Sequence, residues 1–111
     1  MTLLEVTSHS HDDLVHVVVA GEIDLSTVER VESELARVEE DERPATVALD
    51  LKQVTFLDSS GLRTLVAADQ RARAAGRRFA VVRGPETVQR IFEITRLDDQ
   101  LDMVDDIAAL S

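Results

Sequence analysis

Cysteine, tryptophan and tyrosine are absent from the sequence, and glycine and proline number only 4 and 2. Without cysteine there is no disulfide framework, no thiol nucleophile, no iron–sulfur cluster and no thiolate zinc site. Aromatic residues make up 3%, so single-stranded nucleic acid finds no stacking platform. Scarce glycine and proline beside 44% hydrophobic residues exclude a collagen-like, linker-like or disordered chain. No unbroken apolar run exceeds four residues, the length of Val17–Ala20, so no helical membrane span is expected. Basic residues are also few: 12 Lys and Arg against 22 Asp and Glu leave a net charge of -10, which repels phosphate backbones and anionic lipid. Neither nucleic acid nor a membrane is expected as a partner. Met1-Thr2-Leu3-Leu4-Glu5 lacks the basic and apolar regions of a signal peptide, so a cytoplasmic location is expected.

What is present fits one domain, expected over residues 1–111, because two cores of about 50 residues each would be poorly buried. Leu4 and Val6 alternate with polar neighbours as in an edge strand, and His9-Ser10-His11-Asp12-Asp13 reads as a turn. Leu14 to Ala20 is a Val-rich strand broken at Gly21-Glu22-Ile23-Asp24. Ser26-Thr27-Val28-Glu29 has the spacing of a capping box, and Val28, Val31, Leu35 and Val38 follow at helical spacing until Glu42-Arg43-Pro44. Thr46 to Leu51 reads as a buried strand and Lys52 to Leu57 as a connector. Leu62, Leu65, Val66 and Ala72 predict a helix closing at Ala75-Gly76, with glycine suited to a left-handed position. Phe79 to Val82 is a further strand, and Gly84-Pro85-Glu86 opens a helix carrying Val88, Ile91 and Phe92. Leu101 to Val104 predicts a strand or extended chain, and Ile107 to Leu110 a last helical piece.

Alternation of strands and helices implies α/β architecture: a single mixed sheet, mainly parallel, with an antiparallel first strand pair. Each main helix has one apolar stripe, so the helices are expected to pack on one face. Acid at Glu39 to Glu42 and from Asp98 to Asp106, and arginine at Arg71, Arg73, Arg77 and Arg78, read as solvated faces, with a docking patch for an acidic partner as the other reading.

Chemistry is weakly marked. His9, His11 and Asp12 offer metal-ligand atoms but lack a rigid third ligand, so no metal is expected, and His16 reads as a surface or satisfied sheet residue. Asp50 invites comparison with an aspartate phosphorylated in a receiver domain. That chemistry needs an acidic pair after the first strand and a lysine on a later one, whereas the only lysine is Lys52. Asp50 is therefore expected to point to solvent. No G-x-S-x-G, Walker or dinucleotide pattern occurs, so no catalytic residue and no cofactor are expected, and the chain does not read as an enzyme. A small enzyme using Ser59 as nucleophile is the rival of another class.

Asp58-Ser59-Ser60-Gly61-Leu62 is the informative segment. Its hydroxyls fall where a loop becomes a helix and are expected to be exposed there, with Phe56-Leu57 anchoring one side and Leu62 the other. Two local roles stay open: capping of the helix, and a phosphoacceptor, since amides at a helix start favour an anion.

Gly21-Glu22-Ile23-Asp24, Val47 to Leu51, Phe56 to Leu62 and Val88 to Thr95 stand in an order and spacing that resemble a STAS domain of the anti-sigma-factor antagonist type. The resemblance runs from about Leu3 to Leu110 and implies a mixed sheet with helices on one face. It implies a partner as well: an anti-sigma factor, usually a serine kinase with an ATP-binding fold, whose capture frees a sigma factor for transcription. The kinase phosphorylates the first serine after the motif aspartate, here Ser59, and a phosphatase reverses this. Asp24 matches the position close to the phosphoacceptor, so the implied docking residues are Asp24, Asp58, Ser59, Ser60, Gly61, Leu62 and Arg63. Arg63 departs from the pattern, since many antagonists carry a second glycine there. STAS domains also serve as scaffolds of stress-signalling complexes and as subunits of lipid-transport machinery, so the alternative the resemblance implies is a subunit or scaffold of such an assembly in which Ser59 is not phosphorylated.

Overall fold

Residues 3–110 are described by the structure, a computed structural model. Met1, Thr2 and Ser111, the ends of the expected domain and of its expected leaderless amino terminus, lie outside them. The strands are β1 (Leu4–His11), β2 (Leu14–Ile23), β3 (Thr46–Leu57), β4 (Arg78–Val82) and β5 (Asp102–Val104). They form one sheet in the order β1-β2-β3-β4-β5, with β1 antiparallel to β2 and every other pair parallel. The α-helices are α1 (Val28–Arg37), α2 (Ser59–Ala74), α3 (Glu86–Ile94) and the single turn α4 (Leu97–Gln100); a π-helical turn (Val38–Glu42) extends α1, and the last helical piece expected is a 3-10 turn at Ile107–Leu110. The mixed sheet is the one the element order predicts.

Core residues come from one face of the sheet. Val15, Val17 and Val19 of β2, Val47, Leu49 and Leu51 of β3, and Phe79 and Val81 of β4 cluster with Val31 and Leu35 of α1, Leu62 and Leu65 of α2, and Val88 and Phe92 of α3. All three long helices therefore cover the same side, as their single apolar stripes require. Among the described residues no helix is long and apolar enough to cross a membrane.

Several local expectations are corrected. β1 continues through His9 to His11, leaving Asp12-Asp13 as the turn, with Asp12 at φ 54°. Ser26 and Glu29 form no capping box: the α1 N-cap is Thr27, without a side-chain cap bond, and Asp24 organises the turn. The connector expected at Lys52 to Leu57 is the second half of β3. Its pairing with β2 shifts register between Val18 and Ala20 and again between Gly21 and Glu22. Each shift places an extra β3 residue in the ladder, so buried side chains fall at Leu51, Val54 and Leu57, a spacing of three that hides the strand period.

Asp50 does not point to solvent. It is 8% exposed on the helix-free face, where its carboxylate meets His16 Nε2 at 2.8 Å and accepts the Lys52 N–H at 2.9 Å. Central position in the sheet encloses even a polar side chain, and His16 is the satisfied sheet residue expected. The arginine and acid clusters lie on exposed faces, as expected, and two pairs join them there: Arg71 with Glu39 and Arg78 with Asp102. Lys52 pairs with Asp106 at 3.0 Å, tying the C-terminal segment to the helix-free face.

Candidate functional site

Parallel pairing brings the carboxyl ends of β2 and β3 side by side, with Ile23 opposite Leu57. The β2–α1 and β3–α2 loops leave the sheet there, and the Asp58 N–H donates to the Ile23 carbonyl at 3.2 Å. Asp24 and Asp58 thus belong to one surface although 34 positions separate them in the sequence.

Asp24 folds its own loop. Its Oδ1 accepts the Ser26 N–H at 2.9 Å, the Ser26 hydroxyl at 2.6 Å and the Thr27 N–H at 3.2 Å. Thr27 Oγ1 donates in turn to the Glu22 carbonyl at 2.7 Å. The Ser26 hydroxyl, followed by the amides and Thr27, holds the Asp24 carboxyl below its usual value against the cost of partial desolvation. The loop is therefore anionic and preset.

Asp58 is the N-cap of α2, extended at φ −109° and ψ −172°. Its Oδ1 accepts from the Ser60 N–H at 2.9 Å, from the Gly61 N–H at 3.3 Å and from the Ser60 hydroxyl at 2.5 Å. The Ser60 hydroxyl most of all, then the amides of Gly61, Ser60 and Leu25, lower the Asp58 pKa. Capping thus falls to the aspartate and not to the serine hydroxyls.

The adjacent serines are unlike. Ser60 is 8% exposed and its hydroxyl is held by Asp58. Ser59, the first residue of α2, is exposed, and its hydroxyl makes no hydrogen bond to a described residue. The expectation that both hydroxyls face solvent is corrected to one. Gly61 and Leu62 turn inward: Leu62 is in the core, and a Cβ on Gly61 would lie 2.3 Å from Leu57 Cδ1. They seat the helix start on the strand ends rather than offering surface. Arg63 is exposed one turn after Ser59 and makes no ion pair or side-chain hydrogen bond among the described residues.

Leu25 escapes a motif reading, and Phe56, expected to anchor the motif loop beside Leu57, is instead half-exposed. Leu25, between Asp24 and Ser26, is 78% exposed, and Phe56 is 46% exposed. The available signal was a large apolar residue inside a polar loop. Among the described residues no cluster of three or more His, Asp or Glu side chains is arranged to hold a metal. The surface offers two carboxylates, one free hydroxyl, one free guanidinium and apolar contacts, a combination suited to binding a protein.

Comparison with known proteins meets this geometry. The STAS domain family matches residues 5–110. An anti-sigma-B factor antagonist of Staphylococcus epidermidis is 30% identical over 96 residues, covering 86% of this chain and 88% of that protein. The crystal structure of an anti-sigma factor antagonist from Mycobacterium paratuberculosis is similar with a TM-score of 0.86 at 28% identity, over 96% of this chain and 89% of that one. The Bacillus cell fate determinant SpoIIAA in its phosphorylated form shares the fold, with a TM-score of 0.72 at 17% identity over 96% of both chains. Sheet order, helix placement and sequence similarity converge over nearly the whole length, and the chain belongs to the STAS domain family.

Proposed function

We propose that this protein is an anti-sigma-factor antagonist: it binds an anti-sigma factor that is a serine kinase, releases a sigma factor, and is switched off when that kinase phosphorylates Ser59. A phosphatase restores it. The reading makes it a cytoplasmic regulator without catalytic residues or cofactor. Its strongest support is the difference between the serines, since Ser59 presents a free hydroxyl at a helix start while Ser60 is buried and occupied by Asp58. Successive helical residues point about 100° apart, so one kinase pose reaches one of them. Asp24, Asp58 and Arg63 frame the acceptor, and the names of similar proteins agree with the role.

The test combines the protein with purified anti-sigma kinases of its source organism, with and without ATP. Unphosphorylated protein is expected to form a complex with one of them, and Asp24→Ala to weaken it, because a partner charge left without its mate costs more at an interface than at a rim. Mass spectrometry should place the phosphate on Ser59, and Ser59→Ala should lose labelling but keep binding. Labelling on Ser60 alone would move the switch to another residue. Binding without labelling would point to a constitutive subunit of a larger assembly, and no binding to any kinase would overturn the proposal.

A further inference from the structure

Helices α1 and α2 lie side by side on the sheet and leave between them a surface groove of about 720 Å³. They touch across it through the Thr64 hydroxyl on Glu32 at 3.3 Å, and Arg71 of α2 pairs at 2.7 Å with Glu39 of the π-helical turn Val38–Glu42 that follows α1, which closes the far end. From the first contact onward the small lining residues are Ser33, Ala36, Thr64 and Ala67. They stand three or four positions apart on their own helices, so each helix offers one stripe of small side chains to the same hollow. The hollow is left open rather than filled.

The other end of the groove is lined by Leu25 and Ser60, next to Ser59. The groove therefore continues the docking surface of the proposed function, and the inference rests on that reading. Its charge is lopsided. Glu39 is matched by Arg71, whereas the lining residues Glu29, Glu32 and Glu40 make no ion pair within 4.0 Å among the described residues, and Arg63 is the one lining cation besides Arg71. A second copy of a chain with net charge -10 is a poor occupant of such a groove. At about 1.5 Å per residue, α1 gives the groove a length of roughly 15 Å, room for about three turns of a helix.

We infer that the anti-sigma partner lays a basic amphipathic helix of about three turns in the α1–α2 groove. Its apolar face meets Leu25, Val28, Ala36 and Ala67, and its Lys or Arg side chains meet Glu29, Glu32 and Glu40. This is helix-in-groove recognition, with the small residues supplying the space and the glutamates setting the sign of the partner. Ser59 lies at the mouth, so the hydroxyl is read there while the groove supplies choice of partner.

The test uses the full chain and the anti-sigma kinase found to bind it. Glu29→Lys with Glu32→Lys reverses the wall charge on an exposed helix face, and Ala67→Phe fills the hollow, while Asp24, Asp58 and Ser59 stay intact. Each change is expected to weaken binding at least tenfold, and added salt to weaken the wild-type complex more than that of the charge-reversed variant. Hydrogen exchange on the complex should show protection over residues 28–40 and 63–71. The charge-reversed variant decides the matter if Ala67→Phe proves unstable in a thermal melt. Wild-type affinity in the charge-reversed variant, with protection confined to residues 24–25 and 58–62, would overturn the inference and leave the proposed function standing. A self-associating chain whose dimer is lost in the groove variants would also overturn it. A wild-type chain that binds no anti-sigma kinase overturns both.

Discussion

Replacing Gly61 by alanine tests how the site is mounted. A Cβ built on Gly61 lies 2.3 Å from Leu57 Cδ1 and 2.9 Å from Ile23 Cγ2. Leu57 and Ile23 are 1% and 0% exposed, so neither has free space to retreat into. Overpacking of a close-packed core costs about 1–3 kcal/mol. Alanine returns up to about 1 kcal/mol of helix propensity, and less than that in a first turn. The clash wins, with a net loss of about 1–2 kcal/mol, and at roughly 4 °C per kcal/mol for a domain of this size the melting temperature should fall by about 4–8 °C.

A double-mutant cycle identifies the cause. Leu57→Val removes the colliding Cδ1 at a cost of its own of about 1 kcal/mol. In that background Gly61→Ala should cost less by at least about 0.5 kcal/mol, the smallest coupling such cycles resolve between touching residues. Gly76 provides the contrast: it sits at φ +72° with no atom within 4 Å of a built Cβ. Gly76→Ala should destabilise through backbone strain by about 1–2 kcal/mol, and by the same amount whether position 57 is leucine or valine. Melts followed by circular dichroism measure all of these. An unchanged melting temperature for Gly61→Ala, or strict additivity with Leu57→Val, would refute the steric account of the α2 seat.

Other outcomes follow from the same contacts. Asp58→Ala removes the α2 cap and should cost about 1 kcal/mol, seen as a lower urea midpoint, with Ser60→Ala costing less because the Asp58 bonds to backbone amides survive. Asp24, Glu34, Glu42, Asp58 and Asp106 all have pKa values lowered from 3.8 or 4.5 by hydrogen bonds and ion pairs. The unfolded chain then binds more protons in acid, so their stabilisation is complete above about pH 5 and drains away as the pH falls through the lowered values; a urea midpoint that stays level from pH 6 to pH 3 would contradict this. Asp50→Ala strips His16 Nε2 and the Lys52 N–H of an enclosed acceptor and should cost about 1–3 kcal/mol, measurable by the same melts, whereas a solvent-facing aspartate would cost almost nothing.

Strand and helix order was legible because each element announces its own period: Val-rich runs for β2 and β4, apolar residues three and four apart for α1, α2 and α3. Failures occurred where another contact overrode the local signal. Bulges in β3 replaced alternation with a spacing of three at Leu51, Val54 and Leu57, so half the strand read as connector. Ser26 and Glu29 carry capping spacing, yet the Asp24 carboxylate accepts the nearby amides and the Ser26 hydroxyl. Asp50 read as a surface residue because its partner His16 comes from another strand. At the site, the motif Asp58 to Leu62 was visible as a unit, but which serine is free depends on the direction of one hydroxyl toward Asp58. Leu25 and the hollow between α1 and α2 belong to the packed tertiary arrangement and leave no periodic trace.

The mounting of the site decides how a phosphate can act there. Ile23 and Leu57 end their strands beneath it at 0% and 1% exposure, and the loops above are joined by the Asp58 N–H bond to the Ile23 carbonyl. A phosphoryl group on Ser59 would project from this frame into solvent, adding about -1.5 to -2 charges at neutral pH. The helix start favours it by about 0.3–1 kcal/mol. The carboxylates of Asp58 and Asp24 oppose it, and screening over a Debye length of about 8–10 Å trims that repulsion. The opposing contributions are of similar size, so the melting temperature of phosphorylated protein should stay within about 3 °C of the unmodified value on the scale of about 4 °C per kcal/mol. A partner surface shaped around a neutral hydroxyl has no such balance, because it must desolvate and accommodate the new group. A loss of about 2.8 kcal/mol there is a hundredfold loss of affinity. Calorimetric titration and melts on the same phosphorylated sample separate the alternatives. A steep fall in melting temperature accompanying lost binding would mean that phosphate acts by loosening the fold, and undiminished affinity would mean that Ser59 is not the switch.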